Sequence, residues 1–177
     1  MAASLFRPAN DLLVQYATYH RDRRNIASHF VGIPMIVLAV GVLLARADLG
    51  GLSAAWLVWA LSTAWYLSRG QFTLGLATSA VNAFLMAAAH PLAAGSTASW
   101  LGWGLGLFVL GWIIQFVGHV WEGRKPAFVD DLVGLLVGPM FVVAEWLFAA
   151  GWGQALANEI TERAGAVRPD IQGGTAA

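Results

Sequence analysis

His29-Phe30-Val31-Gly32-Ile33-Pro34-Met35-Ile36-Val37-Leu38-Ala39-Val40-Gly41-Val42-Leu43-Leu44-Ala45-Arg46 runs from an imidazole to a guanidinium with no charge between. A helix needs about 20 apolar residues to cross roughly 30 Å of hydrocarbon, and this stretch approaches that length. Four more apolar runs follow, at about 52–68, 72–90, 99–119 and 131–150. Of the 177 residues 58% are hydrophobic and only 11% charged, whereas soluble domains carry nearer a quarter charged. The expected fold is all-α: an integral membrane helical bundle of about five apolar helices, four or five of them true spans. Pro34 and Pro139 should bend the first and last runs. Gly102, Gly104, Gly106 and Gly111 let helices approach closely.

Upstream of the first run the pattern turns amphipathic. Over 10–24, Leu12, Leu13, Tyr16, Tyr19 and His20 share one side, and Asp11, Gln15, Thr18 and Asp22 take the other. This predicts an N-terminal interfacial or bundle-capping helix, with Asn10 as its cap. Residues 1–9 are expected to be flexible. Residues 10–151 should form a single membrane-embedded domain, and 152–177 a short polar segment ending in a disordered tail. A signal peptide is not expected, because the first apolar run lies behind a long polar stretch.

Basic residues orient the bundle. If the runs alternate sides, seven of the ten Lys and Arg fall on the N-terminal side and three opposite. The positive-inside rule then puts the N-terminus in the cytoplasm. The short, Ala/Gly/Trp-rich chain reads as bacterial, so an inner membrane is expected. The lipid bilayer is thus one partner, and a homo-oligomer remains open. Net charge is zero, and the scattered basic residues form no nucleic-acid surface.

The chain has no cysteine, which removes disulfides, thiolate metal sites, iron–sulfur clusters and a cysteine nucleophile. There is no phosphate-binding glycine loop and no Gly-x-Ser-x-Gly elbow. The Gly-x-Gly-x-Gly at 102–106 lies inside an apolar run and reads as packing. The chemistry that remains is in four histidines, His20, His29, His90 and His119, each beside a polar cluster at the end of an apolar run. An unpaired buried imidazole is costly, and one metal ion would satisfy several at once.

Their spacing constrains how they could meet. His20 and His29 are nine apart, so on one helix they would face opposite ways; a turn within 21–25 would bring them together. His119 and Glu122 share a helix face with Gln115, and Glu122 could serve as a ligand or orient one. His90 precedes Pro91 and, if every run crosses, lies on the opposite side from the others. Glu145 and Asn82 sit inside runs, where an ion pair and an interhelical hydrogen bond are their expected roles. Asp130 and Asp131 should cap the last run.

Two blocks resemble a known family: Tyr16-Ala17-Thr18-Tyr19-His20-Arg21-Asp22-Arg23-Arg24-Asn25-Ile26-Ala27-Ser28-His29, and Gly118-His119-Val120-Trp121-Glu122-Gly123-Arg124-Lys125-Pro126-Ala127. Together they resemble the Mpo1-like family over about 10–150. The resemblance implies an Fe(II)-dependent dioxygenase of fatty-acid α-oxidation, taking a 2-hydroxy fatty acid and dioxygen and shortening the chain by one carbon. It implies His20, His29, His90 and His119 as metal ligands. Arg24, Arg124 or Lys125 could hold the substrate carboxylate or serve only as orientation charges, and Asn25 could bond a ligand histidine's second nitrogen or satisfy its own backbone in a turn. Glu122 would complete the catalytic set. Two other classes stand beside this one: a carrier of haem b or metal, and a scaffold whose polar clusters only join helices.

Overall fold

The computed structural model describes residues 5–168. Among them are seven α-helices and no strand beyond isolated bridges. They are α1 (Ala9–Ala17), α2 (Arg23–Leu44), α3 (Ala54–Leu67), α4 (Phe72–Ala93), α5 (Thr97–Glu122), α6 (Gly134–Ala149) and α7 (Gln154–Ala164), with a 3-10 turn at Ala127–Val129. The all-α membrane bundle is therefore present. Only α2, α4 and α5 are individually long and apolar enough to cross a bilayer. Three helices therefore qualify, or four if the bent α6–α7 pair counts as one span, against an expectation of four or five. α3 has 14 residues, about 21 Å at 1.5 Å per residue. α6 and α7 reach spanning length only together, across a bend of 118°.

Hydrogen bonds define two ends of the bundle. At the near end Ala9 N–H donates to the Arg69 carbonyl, Gln71 donates to Asn10, and the Tyr66 hydroxyl donates to the Leu136 carbonyl. At the far end Arg46 donates to the Ala93 carbonyl and lies over the Trp100 ring. The α6–α7 pair starts at the near end and comes back to it: Asn10 donates to Glu159, Arg163 pairs with Asp11, and Arg21 donates to the Gly165 carbonyl. Such a path is re-entrant, and it changes the charge count. Arg163 and Arg168 return to the near end, so nine of the ten basic residues lie there and Arg46 alone lies at the far end.

Local chemistry explains the helix limits. The Asp22 side chain accepts from Arg24 N–H and starts α2; Ser96 accepts from Ser99 N–H and starts α5. Gly123 ends α5 at φ 69°, a left-handed conformation that favours glycine. Asn10 does not cap α1, whose start is Pro8; its amide is spent on Gln71 and Glu159. Residues 5–9 are not loose. The Leu5 carbonyl accepts from Trp65 and Arg69, and Ala9 is buried. The expected flexibility of 1–4 and disorder of 169–177 lie outside the described residues, but 154–164 is helical.

The core sits under α1, whose Leu13, Tyr16 and Ala17 pack with Val137, Met140, Phe141 and Ala144 of α6. So α1 caps the bundle and does not lie on its surface. The most extensive helix pair is α2 with α5, and small residues make it possible. Gly104, Gly111 and Gly118 recur every seven residues along the buried face of α5. A Cβ on Gly111 would sit 2.7 Å from Ile36 and 3.0 Å from the Gly32 carbonyl, whereas Gly102 and Gly106 face open space. The outer face of α5 presents Trp103, Leu110, Ile113, Phe116 and Val120, as lipid contact requires. Gly111→Leu is expected to cost about 1–3 kcal/mol by overpacking, and Gly102→Leu almost nothing. Thermal melts of both variants in detergent check the difference.

Candidate metal centre

Three histidines converge at the near end. His20 lies in the loop after α1, His29 in the second turn of α2, and His119 in the last turn of α5. Their ring centroids are 4.3, 5.0 and 5.1 Å apart. One ring nitrogen from each lies within 4.8 Å of the others, and all three rings are buried. The break in the chain between α1 and α2 is what turns His20 toward His29.

The hydrogen bonds fix two tautomers. His20 Nδ1 lies 2.7 Å from the Tyr16 carbonyl, and the Tyr16 ring stacks on the imidazole at 4.1 Å. His29 Nδ1 lies 2.9 Å from the Asn25 carbonyl. A carbonyl only accepts, so both Nδ1 atoms carry protons and both Nε2 atoms present lone pairs. Those Nε2 atoms face each other at 2.9 Å. Two lone pairs at that distance repel unless a cation or a proton joins them. Burial, reinforced by His29 and His119, holds the His20 imidazole well below its usual pKa, so a shared proton is disfavoured. His119 Nδ1 is buried with no hydrogen-bond partner among the described residues. One shared cation would satisfy the three imidazole lone pairs at once. This donor set fits a metal that accepts imidazole nitrogen.

A carboxylate buried behind the histidines holds the arrangement. Glu122 Oε2 accepts from the N–H groups of Arg21 and Asp22, at 2.9 and 2.7 Å, and from Asn25 Nδ2 at 3.1 Å. Glu122 Oε1 accepts from Arg168 at 2.7 Å. One side chain of α5 thereby pins the loop carrying His20. Glu122 is not part of the histidine cluster, because both its oxygens are committed elsewhere. Asn25 meets His29 through its main-chain carbonyl, while its side chain goes to Glu122 and the Tyr19 carbonyl. Gly118 makes this contact possible, since a Cβ there would sit 2.0 Å from Ser28 Oγ.

The remaining expected residues lie elsewhere. His90, near the far end of α4, stacks on Trp56 at 5.9 Å. Its neighbour Ala89 packs at Gly41, twelve residues beyond His29 on α2, or about 18 Å along that helix. The alternation of helices between the two ends separates it from the other three. Arg24 pairs with Asp22 and lies by Trp121; Arg124 donates to the Thr18 carbonyl; Lys125 pairs with Asp130. Glu145 has no ion pair within 4 Å among the described residues but faces Arg21. Asn82 bonds the Tyr66 hydroxyl of α3. Asp131 caps the turn before α6 through Val133 N–H, while Asp130 takes Tyr19 and Lys125. Sequence reasoning missed Arg168, which it assigned to a loose tail, and no local signal links it to a residue 46 positions earlier.

An apolar cavity leads away from His29 and His119. Ile33, Ile36 and Val37 of α2, Trp112 of α5, Phe128 and Pro139 line it. A second cavity shares Ile33, Val37 and Pro139 and reaches Pro34, Val81, Leu85 and Trp146. Those four residues, with the exposed Phe84, line an outer groove. The three share wall residues and lie in series between the histidines and the groove bounded by α2, α4 and α6.

This chain belongs to the Mpo1-like family: the family model described as "2-hydroxy-palmitic acid dioxygenase Mpo1-like" matches residues 6–150. It is also 54% identical over 50 residues to the 2-hydroxy-palmitic acid dioxygenase MPO1 of Saccharomyces cerevisiae. That match covers 27% of this chain and 29% of the yeast protein. No solved structure matches.

Two outcomes follow from the geometry. Glu122→Ala strands buried donors and is expected to cost about 3–5 kcal/mol. Arg168→Ala, a half-exposed partner, should cost no more than about 1 kcal/mol; chemical unfolding in detergent measures both. For pH, a histidine whose pKa is depressed on folding binds its proton in the unfolded state first, so acid destabilises the fold. Chelator-treated protein should hold its thermal midpoint above pH ~6.5 and lose it steadily from there toward pH ~5. A midpoint constant across that window would contradict the burial argument.

Proposed function

We propose that this chain is an iron(II)-dependent dioxygenase that shortens 2-hydroxy fatty acids by one carbon. The observation that carries the reading is the convergence of three buried imidazoles beside an apolar cavity, in a member of this family. The balanced reaction is R-CH(OH)-COOH plus O2 giving R-COOH, CO2 and H2O. His20, His29 and His119 hold the metal, and His90 does not. When bound, ferrous iron supplies the electrons for activating dioxygen and open positions for a chelating 2-hydroxy acid.

The chain's own residues do the rest. Tyr16 and Asn25 carbonyls keep the Nε2 lone pairs of His20 and His29 turned inward. Glu122 fixes the loop that carries His20. Ile33, Val37 and Pro139 receive the alkyl chain and exclude water from the head-group end. Arg24 and Arg124 point away from the cavity, so they act as orientation charges. With nine of ten basic residues at the near end, the metal site faces the cytoplasm.

A haem carrier is the weaker reading. Two histidines facing each other across a haem would need room for the macrocycle between their nitrogens. His20 and His29 are 2.9 Å apart and leave no such gap. Protein purified without air or chelator is expected to contain close to one iron per chain and to consume oxygen when given 2-hydroxy-palmitic acid. Replacing His20, His29 or His119 by Ala should lower both by at least about 100-fold, while His90→Ala retains both. Full activity in His119→Ala, or protein free of metal, would overturn the assignment.

A further inference from the structure

Gln115 sits one helical turn before His119 on the buried face of α5. It is 4% exposed and has no hydrogen-bond partner among the described residues. Its side chain lies against the bare backbone of Gly32, where a Cβ would come 3.1 Å from Gln115 Cγ. The glycine on α2 leaves the space that this amide fills. Gln115 also lines the apolar cavity, where the other polar groups among the described residues are the His29 and His119 rings, the Tyr16 hydroxyl and the Trp112 indole N–H. No charged residue among those described lines it. An amide offers two donors and an acceptor, and buried polar groups in native proteins are nearly always partnered.

The expected carboxylate clamp is absent from this cavity, because Arg24, Arg124 and Lys125 are committed to Asp22, the Thr18 carbonyl and Asp130. A substrate head group entering beside His29 and His119 therefore meets a neutral amide. We propose that Gln115 is a specificity-determining residue: its Oε1 accepts from the substrate's 2-hydroxyl and its Nε2 donates to the adjacent carboxylate. This rests on the function proposed above. An acid without the hydroxyl would leave Oε1 unpaired in a dry site, and a site built to bond a hydroxyl rejects the analogue lacking it.

The test uses the full-length, iron-loaded protein in detergent, with equilibrium binding of 2-hydroxy-palmitic acid and palmitic acid. Wild type should prefer the hydroxy acid by about tenfold or more. Gln115→Met keeps the volume and removes both hydrogen bonds. It should cut that preference by about three- to tenfold, with iron content and melting temperature unchanged and palmitic acid binding weakened less than that of the hydroxy acid. Its KM for the hydroxy acid should rise more than its kcat falls. Gln115→Asn withdraws the amide by one methylene and should reduce the preference in the same direction, which keeps the test decisive if the Met variant folds poorly. A variant that retains the wild-type preference, or that loses iron along with both acids, overturns the assignment to Gln115 alone. Wild type that neither binds nor consumes the hydroxy acid removes the dioxygenase reading as well.

Discussion

Two imidazoles whose Nδ1 protons are already given to main-chain carbonyls have to place their remaining lone pairs somewhere. Here both point into one dry space, 2.9 Å apart. In water such a contact would relax by rotation or by an inserted solvent molecule. Buried under Tyr16 and Phe141, with the tautomers fixed from behind, it has no such escape. The surrounding fold maintains this arrangement: α1 stops at Ala17, the loop turns back on itself, and a single carboxylate from α5 collects the loop's free N–H groups. Buried polar clusters are stable when every member is satisfied and costly when one is not. One cation shared by the three imidazoles could satisfy the cluster, whose hydrogen bonds already hold two of the rings in place.

Much of this was legible in the sequence, and what was not has a common cause. Apolar run lengths located α2, α4 and α5 because hydrophobicity along a helix is a local property. The need for a turn between His20 and His29 followed from their nine-residue spacing. His119 and Glu122 were legible as one face of one helix. Long-range relations were not legible. Nothing near Arg168 signals that it pairs with Glu122, and nothing in the 131–150 run signals that it doubles back. His90 was grouped with the others because it also ends an apolar run beside a proline. Only the alternation of helices between the two ends separates it.

The glycines illustrate the same limit. The sequence marks 102, 104, 106 and 111 as equivalent small residues. In the bundle Gly104 and Gly111, together with Gly118, form the stripe along which α2 approaches, and the other two face outward. The close approach has a chemical consequence beyond packing energy. It brings Asn25 and Ser28 of α2 against Gly118, one residue before His119, so the helix crossing and the histidine cluster are set by one contact.

The return of the last helix to the near end also bears on the order in which the molecule is built. His20 and His29 leave the ribosome early, His119 much later, and Arg168 later still. Until α5 is in place, the loop after α1 has no carboxylate to collect its N–H groups. Until the chain past α7 has emerged, that carboxylate lacks its arginine. A nascent chain extended only through α4 therefore holds two of the three histidines without the third.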